Sequence, residues 1–147
     1  IVRTRPHHDT VELAAAIADA VPAPARRRRH PARRVLQALR IAVNGELDAL
    51  ERGLEAAIDT TRPGGRIVVI AYHSLEDRIV KRRFAKGSTG CDCPPDFPVC
   101  TCDKVAELRR LTRKPLRPAA AEVEANPRAR SALLRAVEIA DFGPEAA

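Results

Sequence analysis

The fold is decided by residues 66–78, which read Arg-Ile-Val-Val-Ile-Ala-Tyr-His-Ser-Leu-Glu-Asp-Arg. The first seven residues form an uninterrupted run rich in β-branched side chains, which is typical of a strand. Because apolar and polar residues do not alternate in this run, we expect both faces of the strand to be covered, as in a parallel α/β sheet. Pro63-Gly64-Gly65 predicts a tight turn before it. This order of turn, buried strand and helix is typical of a doubly wound α/β fold.

The spacing of apolar residues, together with caps and breakers, predicts five helices around this strand. Their approximate ranges are 10–21, 31–43, 47–58, 74–87 and 119–125. The third has leucines and an isoleucine at spacings of 3, 4 and 4, which is typical of an amphipathic helix. Residues 131–139 fit a strand and a helix equally well, so periodicity leaves them open.

The segment that follows the strand carries an imidazole, a hydroxyl, two carboxylates and a guanidinium. These groups belong to His73, Ser74, Glu76, Asp77 and Arg78. Ligands of open α/β sheets bind beyond the carboxyl ends of the strands, and a helix N-terminus adds unpaired N–H groups there. We therefore expect a candidate active site that faces a crevice. Spacing supports equally well that Ser74 only caps the helix and that the acids only complement its dipole.

Positive charge is concentrated near the N-terminus of the chain. Of the formal net charge of +7, residues 1–45 carry +6, from nine Arg and three acidic residues. Between Arg26 and Arg40 there are seven Arg and no acid. Such a segment favours binding to nucleic-acid phosphates, because each neutralised phosphate releases a counterion. The simpler alternative is a solvated basic face.

All the cysteines lie in one short segment, as Cys91, Cys93, Cys100 and Cys102. Their thiolates could close a tetrahedral Zn²⁺ site, although one residue within each pair is fewer than the usual two to four. A disulfide pair and unligated thiols are the alternatives, and nothing in the sequence indicates export. A metal bound here would have a structural role, since it would tie down a polar loop.

The 147 residues are enough for one domain, or for one domain with an appendage. No apolar stretch approaches the roughly 18 residues that span a bilayer, and a secretory signal pattern is absent. We therefore expect a soluble cytoplasmic protein without membrane partners. The sequence contains no glycine-rich dinucleotide loop and no P-loop. It has no Met and opens on Ile1, so we expect it to be a piece of a longer protein.

Four blocks of sequence carry a resemblance to one family. They read His-Pro-Ala-Arg-Arg-Val-Leu-Gln-Ala-Leu-Arg-Ile-Ala-Val-Asn (30–44), Gly-Gly-Arg-Ile-Val-Val-Ile (64–70) with His-Ser-Leu-Glu-Asp-Arg-Ile-Val-Lys (73–81), Leu-Thr-Arg-Lys-Pro (111–115) and Asn-Pro-Arg-Ala-Arg-Ser (126–131). In these blocks and in their order the chain resembles the bacterial small-subunit ribosomal RNA cytosine-N4 methyltransferases, the RsmH or MraW family. The resemblance extends to about residue 139, and four ordered blocks are more specific than any single motif.

For the fold, the resemblance implies a class I, Rossmann-like α/β methyltransferase sheet, of which this chain holds the C-terminal part. Residues 1–43 would be the end of a helical insertion that recognises RNA. Residues 44–147 would be the last part of the methyltransferase domain, with a cysteine-rich loop at 87–104. In this frame residues 131–139 form a strand, antiparallel and near the sheet edge. The cysteines are not a constant feature of the family, so the family gives them no role.

For function, the resemblance implies an enzyme that uses S-adenosylmethionine to methylate N4 of a decoding-region cytidine in 16S rRNA of the small ribosomal subunit. The family's glycine-rich cofactor loop and ribose-binding acid match nothing in this chain. No cofactor-binding residue is therefore assigned, and the chain alone is expected to be inactive. Exposed sheet edges would favour self-association, including a homodimer. The competing interpretation is a non-enzymatic, basic RNA-binding module.

The resemblance also suggests which residues act. Those expected to line the reaction end of the pocket, where the amine is aligned with the methyl group and loses a proton, are His73, Ser74, Glu76 and Asp77. Arg78 and Asn126 would support them by holding RNA. The cytidine is expected to be splayed out of its helix to reach this site. The residues expected to hold phosphates are Arg26, Arg27, Arg28, Arg29, Arg33, Arg34 and Arg40.

Overall fold

The computed structural model describes residues 1–22, 30–93, 99 and 102–141. The helices in these residues are α1 (Thr10–Ala20), α2 (Ala32–Asn44), α3 (Glu46–Thr60), α4 (Ser74–Gly87) and α5 (Ala120–Ala125). The strands are β1 (Arg66–Ala71), β2 (Leu108–Arg110) and β3 (Leu133–Ile139), and Val2–Thr4 and Pro127–Ser131 form short 3-10 helices. The chain divides into two compact units, Ile1–Glu46 and Leu47–Ala147.

In the first unit, α1 starts where the sequence predicts it. The Asp9 carboxylate accepts hydrogen bonds from the backbone N–H groups of Val11 and Glu12, both at 2.8 Å. Glu12 Oε2 in turn accepts from the backbone N–H of His8 at 2.8 Å. These bonds satisfy N–H groups that the first turn of a helix would otherwise leave unpaired. Asp9 is therefore the N-cap, and the predicted start of this helix near residue 10 is confirmed.

The second helix of this unit also has the predicted ends. α2 begins directly after Pro31 and stops at Gly45, whose φ of 59° lies in the left-handed region that suits glycine. α1 and α2 contact each other, and Ile17 and Ala32 are buried in this unit.

The second unit holds a three-stranded sheet in the order β1-β3-β2. β3 is antiparallel to both neighbours, with Ile67 opposite Val137 and Leu108 opposite Ile139. β1 and β2 therefore run in the same direction, and α4 connects them. The mixed α/β class is confirmed. The strand implied at 131–139 is confirmed as well, although it is the central strand of this small sheet.

One face of the sheet, the covered face, packs against α3 and α4. The buried core consists of residues from both helices and all three strands: Leu54, Ile58, Ile67, Val80, Phe84, Leu108 and Val137. The end of α4 approaches β2 closely, since a Cβ atom on Gly87 would lie 2.6 Å from Leu108 Cδ1. A glycine at this position lets the helix and the strand come together.

The prediction that β1 is covered on both faces and pairs in parallel is wrong for this chain. Ile67 and Ala71 are buried, whereas Val68, Ile70 and the following Tyr72 are 57%, 52% and 55% exposed. β1 also lies at one end of the sheet order, and its neighbour is antiparallel. A β-branched run suits both arrangements. Its residues indicate an apolar strand that packs against other elements, but they do not indicate which elements pack on which face.

The exposed side of the sheet, which we call the open face, extends beyond β1. Ile70 is opposite Leu134 in β3, and Leu134 in turn is bridged to Leu116. Residues directly opposite each other project from the same face of a sheet, so these three side chains form an apolar row. Leu116 is 58% exposed. The open face is therefore defined by Val68, Ile70, Tyr72, Leu116 and Leu134.

Candidate functional site

The turn from β1 to α4 is organised by His73 rather than by Ser74. His73 is the N-cap, and its Nδ1 accepts a hydrogen bond from the backbone N–H of Glu76 at 3.3 Å. Glu76 Oε2 accepts from the backbone N–H groups of Tyr72 and His73 at 2.9 and 3.1 Å. This reciprocal arrangement is a capping box. The prediction that Ser74 caps the helix is wrong, because Ser74 is its first residue and the imidazole takes the capping position.

The other ring nitrogen of His73 is unusual. Because Nδ1 accepts a hydrogen bond, a neutral ring carries its proton on Nε2. Nε2 lies 3.1 Å from Glu76 Oε1, yet this contact is not a hydrogen bond. Within the part of the chain that the structure describes, Nε2 is the one buried side-chain nitrogen or oxygen without a hydrogen-bond partner. A buried donor without a partner costs about 1–3 kcal/mol, so this atom is a candidate for contact with a ligand.

Asp77 fixes the start of α4 to the central strand. Its carboxylate accepts two hydrogen bonds from Arg135 in β3, from Nε at 2.7 Å and from Nη2 at 3.0 Å. Both side chains are largely buried, at 9% exposure for Arg135 and 17% for Asp77. A buried bidentate pair of this kind holds the helix terminus in one orientation relative to the sheet.

Three residues of the same segment are presented to solvent. Tyr72, Ser74 and Arg78 are exposed. None of their side chains makes a hydrogen bond or ion pair with another residue in the ranges described above. The structure therefore brings the predicted catalytic residues together at one turn. His73, Glu76 and Asp77 have structural contacts there, and Ser74 does not.

The predicted RNA-binding residues differ in their surroundings. Arg33 and Arg34 are exposed on α2 and make no ion pair within the described ranges. Arg40 is paired with Glu46, with its Nε 2.8 Å from Oε1. Asn126 Oδ1 accepts from the backbone N–H of Arg128 at 3.2 Å and so caps a 3-10 helix. The predicted phosphate contacts at residues 26–29 lie outside the described residues.

A basic cleft in the second unit was not predicted from the sequence. It has a volume of about 400 Å³ and lies between the end of α4 and β2. Its lining includes Arg109, Arg110 and Arg113, while none of the predicted catalytic residues lines it. Arg109 and then Arg66 donate hydrogen bonds to Glu138 and so lower the pKa of that carboxyl group. Of these three residues, only Arg113 had been singled out in the sequence, as part of the matched block at residues 111–115.

Three of the predicted metal ligands lie together. The Sγ atoms of Cys91, Cys93 and Cys102 all fall within 4.8 Å of one another. Cys102 Sγ is 3.7 Å from Cys91 Sγ, and the backbone N–H of Cys93 donates to Cys91 Sγ at 3.3 Å. Cys100, the fourth predicted ligand, lies outside the described residues. None of the helices described here combines the length and the apolarity needed to cross a membrane.

Comparison with known proteins gives a consistent result along nearly all of the chain. A family model described as the MraW methylase family matches residues 1–140. The chain is 58% identical over 145 residues to the ribosomal RNA small subunit methyltransferase H of Symbiobacterium thermophilum, and 54% identical over 138 residues to that of Carboxydothermus hydrogenoformans. These alignments cover 98% and 94% of this chain but 46% and 44% of the relatives, so the chain spans about half their length. The chain belongs to the MraW methylase family.

Proposed function

We propose that this chain is the C-terminal half of an enzyme that transfers a methyl group from S-adenosylmethionine to N4 of a cytidine in the decoding region of 16S ribosomal RNA. Family membership and relatives named as small-subunit ribosomal RNA methyltransferases support the reaction class and the RNA. Alignment to less than half of each relative supports the assignment as one half. Because the proposed substrate belongs to the small ribosomal subunit, we infer that the enzyme acts in the cytoplasm.

Two features of β1 support a larger sheet in the longer protein. β1 ends the strand order, so one of its edges has no strand partner within the described residues. Two of its side chains on the open face, Val68 and Ile70, are apolar and more than half exposed. Open edges and apolar patches favour association. We infer that the upstream half adds strands beside β1 and covers the open face. For the isolated chain, self-association through that surface, including a homodimer, is expected.

Among the residues that the structure describes, the turn after β1 does not fit a site for S-adenosylmethionine. Adenosine cofactors of Rossmann-like sheets bind at a glycine-rich turn between a strand and a helix, and the turn from β1 to α4 contains no glycine. The cofactor would bring the methyl group, and its site is assigned to the upstream half. We infer that this chain holds the RNA and positions the amine that receives the methyl group.

The observation that carries the proposed site is His73 Nε2, a buried nitrogen without a hydrogen bond that lies 3.1 Å from Glu76 Oε1. In the tautomer fixed by the cap, Nε2 is a hydrogen-bond donor, and Oε1 is an acceptor 3.1 Å away. The base edge of cytosine presents the complementary pair, with N3 as acceptor and the N4 amine as donor. We infer that Nε2–H donates to N3 while Oε1 accepts from N4 and then receives the proton that the amine loses on methylation.

The neighbouring residues would complete this site. Tyr72 is exposed beside His73, where its ring could stack on a splayed-out base. Ser74 and Arg78 would contact the ribose and phosphate of the same nucleotide. Asp77 is a positioning residue, since both its oxygens are used by Arg135. None of these residues lines the basic cleft described above. We therefore infer that residues of the upstream half complete the pocket around the cytidine.

Phosphate binding is assigned to Arg33 and Arg34 of α2 and to the basic segment before the helix. Arg40 is left out of this assignment, because its guanidinium is paired with Glu46. Arg33 and Arg34 are the best placed of the described ones, since they are exposed without ion pairs. Replacing both by Ala should weaken RNA binding and lower the salt slope, the dependence of log K on log salt, by about 2. The measurement is a salt titration of RNA affinity, with Arg40→Ala, whose guanidinium is already paired, as the matched control. An unchanged slope in the double variant contradicts this role.

The site is tested in the longer protein, made by joining the chain to the upstream half of the Symbiobacterium relative. His73→Asn keeps an N-cap acceptor and removes Nε2, and Glu76→Gln keeps a backbone acceptor and removes the charge. Both should lower the turnover number by about 100-fold or more and leave RNA affinity unchanged. The matched control is Asp9→Asn at the cap of α1, which should leave turnover unchanged. Normal turnover in both site variants contradicts the proposed site.

The competing function, a non-enzymatic RNA-binding module, is distinguished by binding of the cofactor. Calorimetry should detect S-adenosylmethionine binding to the joined protein and none to the 147-residue chain. A joined protein that binds small-subunit RNA but neither binds nor uses S-adenosylmethionine would favour the binding module.

A further inference from the structure

We propose that Cys91, Cys93 and Cys102 bind one Zn²⁺ ion as thiolates in the segment between α4 and β2. The proposal does not depend on the methyl transfer described above. It rests on the arrangement of three sulfur atoms, on the contacts that hold the two arms of the segment, and on the chemistry of thiolate ligands.

The distances suit a tetrahedral site. A Zn–S bond of about 2.3 Å and tetrahedral angles place neighbouring sulfurs about 3.8 Å apart. The Sγ atoms of Cys91 and Cys102 are 3.7 Å apart, and Cys93 Sγ lies within 4.8 Å of both. A disulfide would instead require about 2.05 Å between two sulfurs. The three atoms therefore approximate one face of a tetrahedron around a common centre.

A backbone N–H group and a charged side chain accompany the cysteines in this segment. The backbone N–H of Cys93 donates to Cys91 Sγ at 3.3 Å, a hydrogen bond that stabilises charge on a ligating sulfur. Lys104, two residues after Cys102, brings a positive charge to the same segment. Its Nζ lies 2.6 Å from Asp92 Oδ1, between the first two cysteines.

The protein holds the two arms of the segment together near the cluster. Lys104 Nζ donates to the carbonyl oxygen of Lys86 in α4 at 3.2 Å and also reaches Asp92. The backbone at Gly90 runs beside that of Lys104 and Ala106, as a Cβ on Gly90 would lie 3.7 and 3.8 Å from their atoms. These contacts hold the backbone before Cys91 beside the backbone after Cys102. The cysteines of the two arms are therefore kept close together.

Thiolates select the metal. Soft sulfur ligands suit Zn²⁺ and exclude Ca²⁺ and Mg²⁺, which require oxygen. The site lies beyond the C-terminal end of α4, whereas the proposed reaction site lies at the N-terminal end of this 14-residue helix. At 1.5 Å per residue the helix separates them by about 20 Å. Zinc here is therefore structural, joining the end of α4 to the start of β2.

The test is metal analysis of the 147-residue chain, purified under reducing conditions without added zinc. One equivalent of zinc per chain is expected, with a Kd below about 0.1 µM in competition with a chromophoric chelator. Cys91→Ser, Cys93→Ser and Cys102→Ser should each weaken binding by about 100-fold or more. The matched control is Val105→Ser, a change to the same residue at an exposed position of the same segment, which should bind like the parent.

A second readout does not depend on stability. Co²⁺ bound in place of Zn²⁺ should give thiolate-to-metal charge-transfer absorption in the near ultraviolet, reduced in each Cys→Ser variant and unchanged in Val105→Ser. A chain that binds neither metal, or serine variants that retain full affinity, would overturn the proposal. So would a Cys91–Cys102 disulfide in the purified protein, detected as a peptide two hydrogen masses lighter. His73→Asn should retain zinc, which separates this inference from the proposed reaction.

Discussion

The covered and open faces of the sheet differ in what packs on them rather than in the residues that form them. On the covered face Ile67 is 8% exposed and Val137 is fully buried, while on the open face Val68 and Ile70 are 57% and 52% exposed. All four are apolar and β-branched, and three of them lie in one six-residue strand. The comparison shows that the composition of a strand indicates its tendency to be buried. Which of its faces is buried depends on where the rest of the chain packs.

The largest effect on stability is expected at the ion pair of the covered face. Asp77→Ala leaves the guanidinium of Arg135 buried without its partner, and this should lower the free energy of unfolding by about 3–5 kcal/mol. Urea denaturation of the 147-residue chain measures the change. Glu138→Ala is the matched control, because its partners Arg66 and Arg109 are exposed, and it should cost much less. Equal losses in the two variants would show that burial of the Asp77 pair contributes nothing.

Truncation of the two isoleucines compares the faces directly. Ile67→Ala should lower the free energy of unfolding of the 147-residue chain by about 3 kcal/mol, since it leaves a cavity in the core. Ile70→Ala should change it by less than about 0.5 kcal/mol, since the side chain is half exposed. In the joined protein the cost of Ile70→Ala should rise above about 1 kcal/mol. An Ile70→Ala cost that stays near zero there would contradict the proposed cover of the open face.

Two glycines test how tightly the covered face is packed at its margin. Gly87→Ala should lower the free energy of unfolding by about 1–3 kcal/mol, because the new Cβ would meet Leu108 Cδ1 at 2.6 Å. Gly53→Ala in α3 is the matched control: nothing lies within 4 Å of its Cβ position, and the change should raise stability by up to about 1 kcal/mol. Thermal denaturation of both variants gives the comparison. A neutral Gly87→Ala would indicate a looser contact between α4 and β2.

The smallest effect is a dependence on pH. Hydrogen bonds from Arg83 hold the pKa of Glu55 below its ordinary value of 4.5. A carboxyl group whose pKa is lowered by folding stabilises the fold above the unfolded value, and this contribution is lost as the pH falls through the folded value. Because Glu55 is more than half exposed, its share is below about 1 kcal/mol. Urea unfolding between pH 5 and pH 3 should therefore show a smaller acid loss for Glu55→Gln than for the parent, and identical losses would contradict this.

The helices could be predicted because their signals are local. Asp9 caps α1 and Gly45 ends α2 through contacts with residues only a few positions away. A short stretch of sequence therefore contains all the residues that determine each helix end. The capping position at α4 was missed because serine is a far commoner N-cap than histidine. β2 was missed as well, since a strand of three residues is too short to show a period.

The pairing of the strands and the contacts of the site depend on residues far apart in the chain. β1 meets β3 more than sixty positions later, and no local pattern distinguishes this antiparallel partner from a parallel one. The bond between Asp77 and Arg135 spans 58 positions. From sequence we could therefore predict that the acidic residues lie at the start of a helix. We could not predict that Asp77 is hydrogen-bonded to Arg135 in the central strand.

The most direct measurement of the central claim is mass spectrometry of nucleosides from small-subunit RNA incubated with S-adenosylmethionine. One sample contains the 147-residue chain, and the other contains the same chain joined to the upstream half of the Symbiobacterium relative. We expect N4-methylcytidine from a decoding-region fragment with the joined protein and none with the chain alone. Methylation of another atom or another base by the joined protein, or equal activity of the chain alone, would contradict the account.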